Sequence, residues 1–250
     1  MRTPRTRLIA RLAPFGATLL LLLPGCRSTA GGEGEPELET YVLVALVRGE
    51  PDPRPDEEEV RVASEGHFAN MAGLSEAAVL LVAGPMADPE SPVRGLFLMD
   101  CDGVEEAREH VETDPAVAAG LLVPQLTSFR STPALRELPA LRARAEAERL
   151  AEAPDDPARG FVGREYVLAT CNRGELAVRR LAPAEEQGRV LLHGLLGPPA
   201  EGSALFVLDV TTLEEAEALL REARLIDGVG ASWALDGWWA TEAVSRLGGS

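Results

Sequence analysis

The 250-residue chain contains no lysine, only 3 Cys and 3 His, and just 4% aromatic residues. Without lysine there is no P-loop lysine, no Schiff-base lysine and no kinase-type lysine, so several large enzyme classes are excluded at once. There is no CxxC, no HExxH and no clustering of His67, His110 and His193, which leaves a dedicated metal site without support and the expected metal ligands as none. Positive charge is also scarce. With 24 basic residues against 40 acidic ones and a net charge of −16, the chain is a poor match for a phosphate backbone, and no nucleic-acid partner is expected. What is present, 46% hydrophobic and 26% charged residues, is the composition of ordinary folded proteins, and the length predicts two domains of common size.

Arg2, Arg5, Arg7 and Arg11 give the chain a basic start, followed by an apolar run from Leu12 to Leu23. Twelve residues rise only about 18 Å as a helix, well short of a hydrocarbon core of about 30 Å, so a secretory signal over residues 1–26 is expected rather than a membrane span. Leu23-Pro24-Gly25-Cys26 resembles the lipobox of bacterial lipoproteins, which implies lipidation at Cys26, an anchored location on the extracytoplasmic side of a bacterial envelope and, as the alternative, plain secretion. Pro24 departs from that pattern. Removal of four Arg would take the charge from −16 to −20, leaving acyl chains rather than a basic patch as the membrane contact. Residues 27–39, rich in Gly and Glu, are expected to be a flexible tether. Cys101 and Cys171 each end an apolar run; they are expected to be buried and unpaired, with a bridge as the alternative.

From Thr40 onward the pattern is strand, helix, strand, strand, helix, strand. TYVLVALV is β-branched, residues 56–74 have helical spacing, residues 77–83 and 95–100 are short apolar runs around a Gly/Pro/Asp connection, Asp102 is placed to cap a second helix, and Asp114-Pro115 stops it before an apolar run at 119–126. This βαββαβ order is ferredoxin-like. An Ala/Arg/Glu-rich connector at residues 131–160, interrupted by Pro139, leads into a second passage of the same order at residues 161–241, and residues 242–250 are expected to be a tail. Two anchors tie the passages together: VLLVAGP answers VLLHGLLGP, and LFLMDCDGVEEA answers LFVLDVTTLEEA. The predicted fold is therefore α+β: two ferredoxin-like domains, residues 40–130 and 161–241, packed sheet to sheet as an intramolecular barrel, with the protein a monomer.

Residues 40–130 resemble the YCII-related family of the dimeric α+β barrel superfamily. The resemblance is carried by His67, Ala83-Gly84-Pro85, Asp88, Gly95 and the string Asp114-Pro115-Ala116-Val117-Ala118-Ala119-Gly120. It implies a cleft faced by a His and an Asp, here His67 and Asp114, no required cofactor and an enzymatic role that is mostly unassigned. Ser64 stands where many members carry an arginine, implying a lost anion-binding group. Ala116 replaces a common aromatic, implying a wider cleft.

The residues themselves point the same way. Val60, Ser64, His67, Met71 and Leu74 recur at steps of three and four, placing His67 on the inward face of the first helix, and Asp114 extends the stripe of Val104, Ala107 and Val111. A buried carboxylate needs partners, and His67 is the simplest; the pair would hold one imidazole tautomer, raise its basicity and leave the other nitrogen free to take a proton. The alternatives are that Asp114 serves only its local backbone amides, or that it pairs with His110 four residues earlier. In the second passage His67 aligns with Arg180 and Asp114 with Ala223, so one site per chain is expected, with His193 and Trp233, Trp238 and Trp239 read as core or interface residues. Two functions remain open: a cofactor-independent hydrolase, lyase or isomerase acting on a small molecule through catalytic His67 and Asp114, or a non-catalytic ligand-binding or interaction module at the cell envelope. An open cleft at the pair favours the first.

Overall fold

A computed structural model describes residues 38–152, 163–226 and 230–247, which lie in one compact unit. Cys26, the signal segment and the end of the connector at Pro154 and Pro157 fall outside the described residues. Among the described residues no helix is long and apolar enough to cross a membrane.

The chain runs β1 (Glu39–Arg48), α1 (Glu57–Glu76), β2 (Leu80–Pro85), β3 (Val93–Met99), α2 (Val104–Glu112), a short α3 (Pro115–Ala118) and β4 (Leu122–Ser131). A 3-10 turn (Pro133–Glu137) and α4 (Leu138–Glu152) follow, and then β5 (Gly163–Cys171), α5 (Gly174–Glu186), β6 (Val190–Leu196), β7 (Ala204–Leu208), α6 (Leu213–Glu222), β8 (Trp233–Thr241) and a closing 3-10 turn (Glu242–Arg246). The strand order is β2-β3-β1-β4-β6-β7-β5-β8, all neighbours antiparallel. Each half of that order is the ferredoxin-like arrangement, so the expected fold class holds. The halves join at two seams: β4 pairs with β6, and the free edges of β2 and β8 meet through the bridge Met86–Trp238, the Ala87 amide on the Gly237 carbonyl (2.8 Å) and the Trp238 indole N–H on the Gly84 carbonyl (3.0 Å). The result is a nearly closed barrel.

Strand alternation sorts the side chains into three cores. Along β1, Tyr41 packs inside the barrel with Leu96, Leu98, Phe129, Tyr166, Leu168, Val207 and Trp238, whereas Val42, Val44 and Leu46 face out under α1 and α2. Val167, Ala169 and Cys171 of β5 face α5 and α6 in the same way. A residual void of about 20 Å³ remains inside the barrel between Leu43, Leu168 and Trp238, room for about one water, and its wholly apolar wall offers that water no hydrogen bond.

The seams explain the Gly of Ala83-Gly84-Pro85. A Cβ on Gly84 would lie 1.7 Å from the Trp239 carbonyl oxygen, so only glycine lets β8 close on β2. At the other seam Gly194 lies under the Phe129 ring, where a Cβ would be 2.2 Å from the ring.

Three local expectations need correction. Asp102 does not cap α2: the N-cap is Gly103, without a side-chain bond, and Glu106 in the first turn reaches back to the Asp102 amide at 2.6 Å. Val60, at the start of the predicted inward stripe, is 36% exposed, because α1 packs on the sheet through His67, Met71 and Leu74, further along. Residues 242–247 are not a loose end. Thr241 caps the final 3-10 turn through the Ala243 amide, Ala243 and Val244 are fully buried, and the Thr241 carbonyl accepts from the Tyr166 hydroxyl at 3.1 Å. Thr132 does the same after β4, capping its 3-10 turn at Ala134 and accepting from Tyr41 at 3.2 Å.

Candidate functional site

Helix α1 begins with a capping box, Asp56 accepting from the Glu59 amide and Glu59 from the Asp56 amide, each at 2.8 Å, which sets the phase of everything after it. Ala63 and Leu74 are buried, and His67 and Met71 half-buried between them. Gly66 faces the short helix α3. A Cβ there would lie 2.6 Å from Pro115 Cγ, so the missing side chain lets α1 approach closely enough for the next residue, His67, to reach Asp114.

Asp114 is fully buried, and its two oxygens have separate tasks. Oδ1 caps α3 by accepting the Ala116 amide at 2.8 Å, and Oδ2 lies 2.5 Å from His67 Nδ1. The local-turn role and the histidine partnership, posed above as alternatives, are both satisfied by one carboxylate. His110 is not its partner; the His110 carbonyl instead accepts from Thr113 Oγ1 at 2.7 Å. Thr113 Oγ1 in turn accepts from Asn70 Nδ2 at 2.8 Å, a second tie between α1 and the α2–α3 corner, while the buried Asn70 Oδ1 has no hydrogen-bond partner. Gly120 ends the motif in the left-handed region at φ +69°, where its amide and that of Leu121 return to the carbonyls of Val117 and Ala116 at 2.9 Å.

The His67 ring is held on both sides. It stacks on Phe97 of β3 with centroids 5.9 Å apart and planes at 15°, and meets Phe68 edge-on at 5.5 Å. With Nδ1 committed to Asp114, Nε2 has no hydrogen-bond partner among the described residues, and the side chain, 16% exposed, forms part of the wall of a cleft of about 170 Å³. Leu46, Phe68, Met71, Phe97 and Leu122 make that wall mostly apolar; Arg94 is its cation. Phe68, 67% exposed, forms the lip, and together with Met71 also borders a larger surface groove of about 580 Å³ between α1 and α4. The order is thus buried carboxylate, imidazole, open cleft.

The two departures from the family pattern lie elsewhere. Ser64 Oγ bonds back to the Val60 carbonyl at 2.7 Å, and Ala116 is buried at the α3 cap, away from the cleft wall. Ala116 therefore does not widen the cleft, since the residue after Asp-Pro points into the fold.

Among the described residues nothing comparable forms in the second half. Arg180 Nη1 donates to the Arg224 carbonyl just beyond α6, and Ala223 caps that helix. His193 Nδ1 lies 3.2 Å from Glu185 Oε1 and its ring is tilted on Phe206 at 5.7 Å, but Glu185 is 42% exposed and His193 lines none of the cavities described. Trp233 bonds the Leu225 carbonyl at 3.2 Å, Trp238 is buried at the seam, and Trp239 is 43% exposed. Cys101 and Cys171 are buried and free; burial first, then the surrounding acids, pushes the Cys101 thiol up to about 11, and burial raises Cys171. Among the described residues no group of three or more His, Cys, Asp or Glu is placed to hold a metal ion.

Sequence reasoning missed Gly66, Asn70, Arg94 and the two phenylalanines. Only Phe97 left a trace, as the shared Phe of the LFLMD and LFVLD anchors. Residues 43–129, from within β1 through most of β4, match the family model of the YCII-related domain. No curated protein and no solved structure shows significant similarity to the chain.

Proposed function

We propose that the first unit carries one cofactor-independent site in which His67 acts as general base on a small molecule, with Asp114 as its positioning residue. The observation that supports this is the order of the three parts. A fully buried carboxylate 2.5 Å from Nδ1 fixes one side of an imidazole that lines the cleft, and leaves Nε2 without a protein partner among the described residues and free to take a substrate proton. Such a group serves hydrolysis, elimination or isomerisation, and the apolar wall around it gives a hydrocarbon substrate its contact surface. The second reading, a ligand-binding module without chemistry, is favoured by one feature: among the residues lining the cleft there is no second acid or nucleophile to complete a reaction.

Proton abstraction is testable without knowing the product. A panel of small carboxylic acids, ketones and esters is incubated with the protein in D2O, and incorporation at C–H positions is followed by mass spectrometry. Incorporation should fall about a hundredfold or more in His67→Gln, the usual loss for a removed general base. If no compound exchanges, or if exchange persists in His67→Gln, the site is a binding cleft only.

We further infer that the two units are tandem copies, the second degenerate, that the protein is a monomer whose two seams replace a dimer interface, and that Cys26 carries a lipid anchor on the extracytoplasmic side of a bacterial envelope. Support for duplication comes from the paired Tyr41–Thr132 and Tyr166–Thr241 bonds. Support for the anchor is the sequence pattern alone. Light scattering that returns a dimer overturns the monomer, and radiolabelled palmitate that is absent from the protein, or that is retained in Cys26→Ala, overturns the anchor.

A further inference from the structure

We propose that Arg94 makes the His67 cleft selective for a small monocarboxylate whose hydrocarbon part lies against Phe68, Met71 and Phe97. This rests on the general-base reading of the same site and adds the class of molecule it takes.

Three observations carry it. First, Arg94 is a member of the cleft wall, fixed by Nη1 on the Pro89 carbonyl at 2.5 Å. Its remaining donors meet no carboxylate among the described residues. In a chain with 40 acidic and 24 basic residues, a cation left without a counter-charge in a cavity is a standing site for an anion. Second, Arg48 Nη2 donates to the same Pro89 carbonyl at 3.1 Å, so two guanidiniums meet on this hairpin, and neither forms an ion pair with its Asp88, whose Oδ1 accepts from the Glu90 amide at 2.9 Å. Third, the remaining wall is mostly aliphatic and aromatic, with one imidazole.

One guanidinium fork matches one carboxylate in charge and geometry. A phosphate monoester, with about −1.5 to −2 charges at neutral pH, calls for more donors than this wall supplies. The other end of a bound carboxylate is then held by apolar contact beside Nε2, which places a C–H or an electrophilic centre near the base.

Benzoate is the direct probe, with benzamide as its uncharged counterpart and phenyl phosphate as the doubly charged one. Each is titrated into the full-length protein in mild detergent while the ring resonances of His67 are followed by NMR. Benzoate should move them saturably with a dissociation constant on the order of 1 mM, fitting a ligand of its size. Arg94→Gln should weaken benzoate by about tenfold or more, the usual loss of a charge-assisted pair, and leave benzamide unchanged. Equal binding of benzoate and benzamide, tighter binding of phenyl phosphate, no saturable shift with benzoate, or an unaltered benzoate affinity in Arg94→Gln each overturns the proposal. The two readings fail separately: an Arg94-dependent benzoate site without His67-dependent exchange leaves a carboxylate-binding module, and exchange without Arg94 dependence leaves a base with a different substrate class.

Discussion

In the first unit, a side chain from the first helix reaches the turn beyond the second helix as an imidazole on a buried carboxylate; in the second unit, Arg180 makes the same reach, onto the carbonyl of Arg224. Both units thus tie the first helix to the segment beyond the second. A titratable pair is not required, because a guanidinium on a backbone carbonyl serves equally well and leaves no carboxylate to bury. The phenylalanine platform shows the same contrast. Phe97 and Phe206 occupy corresponding positions in β3 and β7, each under a histidine, yet His67 comes from a helix with a buried partner and an adjoining cleft, whereas His193 comes from the neighbouring strand with a half-exposed Glu185. One frame therefore carries a histidine with a buried partner beside a cleft in one half and a histidine on a half-exposed glutamate in the other.

The seams offer the strongest way to break this comparison. Gly84→Ala drives a Cβ into a backbone carbonyl and should cost about 3 kcal/mol or more in thermal or denaturant unfolding, while Gly194→Ala meets the Phe129 side chain and should be partly rescued by Phe129→Leu. Rescue of Gly84→Ala by a change at Trp238 would show that the two seams close in the same way after all.

Next in size is a pH effect shared by both units. Tyr41 and Tyr166, the only tyrosines, are both pushed up to about 12, chiefly by burial. Unfolded tyrosine titrates near pH 10, so the folded state holds its phenolic protons more tightly; the associated stability is complete below about pH 10 and is lost as pH rises to about 12. The loss should amount to about 2 kcal/mol per tyrosine, read as phenolate absorbance rising together with unfolding. Phenolate formation near pH 10 in the folded protein would contradict equal burial of the two.

Asp114→Asn removes one of two acceptors from a buried corner and should cost about 2 kcal/mol, whereas Glu185→Gln should cost less than about 0.5 kcal/mol. Equal costs would erase the distinction between the two histidines. Gly66→Ala gains helix propensity but pushes against Pro115; a net loss of about 1 kcal/mol is expected, with a weakened His67–Asp114 bond.

Most of the frame was legible because strand alternation and helical spacing are local signals. The helix Leu213–Glu222 follows from the apolar stripe of Leu213, Ala216 and Leu220, and His67 and Asp114 could be paired because one lies on the inward face of the first helix and the other extends the inward stripe of the second past its end. What escaped was long-range. Nothing near Gly66 in the sequence announces Pro115, 49 positions on, and Arg94 reads as an ordinary strand-edge cation until Pro89 and the cleft are seen beside it. The exposure of Val60 and the burial of Val244 depend on where an element meets the sheet, which periodicity does not report.

The central claim is that Asp114 holds the His67 ring in one tautomer and leaves Nε2 to the cleft. Nitrogen-15 spectra of the three histidines in wild type and Asp114→Asn test it directly. His67 should show a single Nδ1-protonated form with a strongly downfield proton that disappears in Asp114→Asn, while His110 and His193 are unchanged. A His67 ring that already exchanges between tautomers in wild type, or one that Asp114→Asn leaves unaltered, would contradict it.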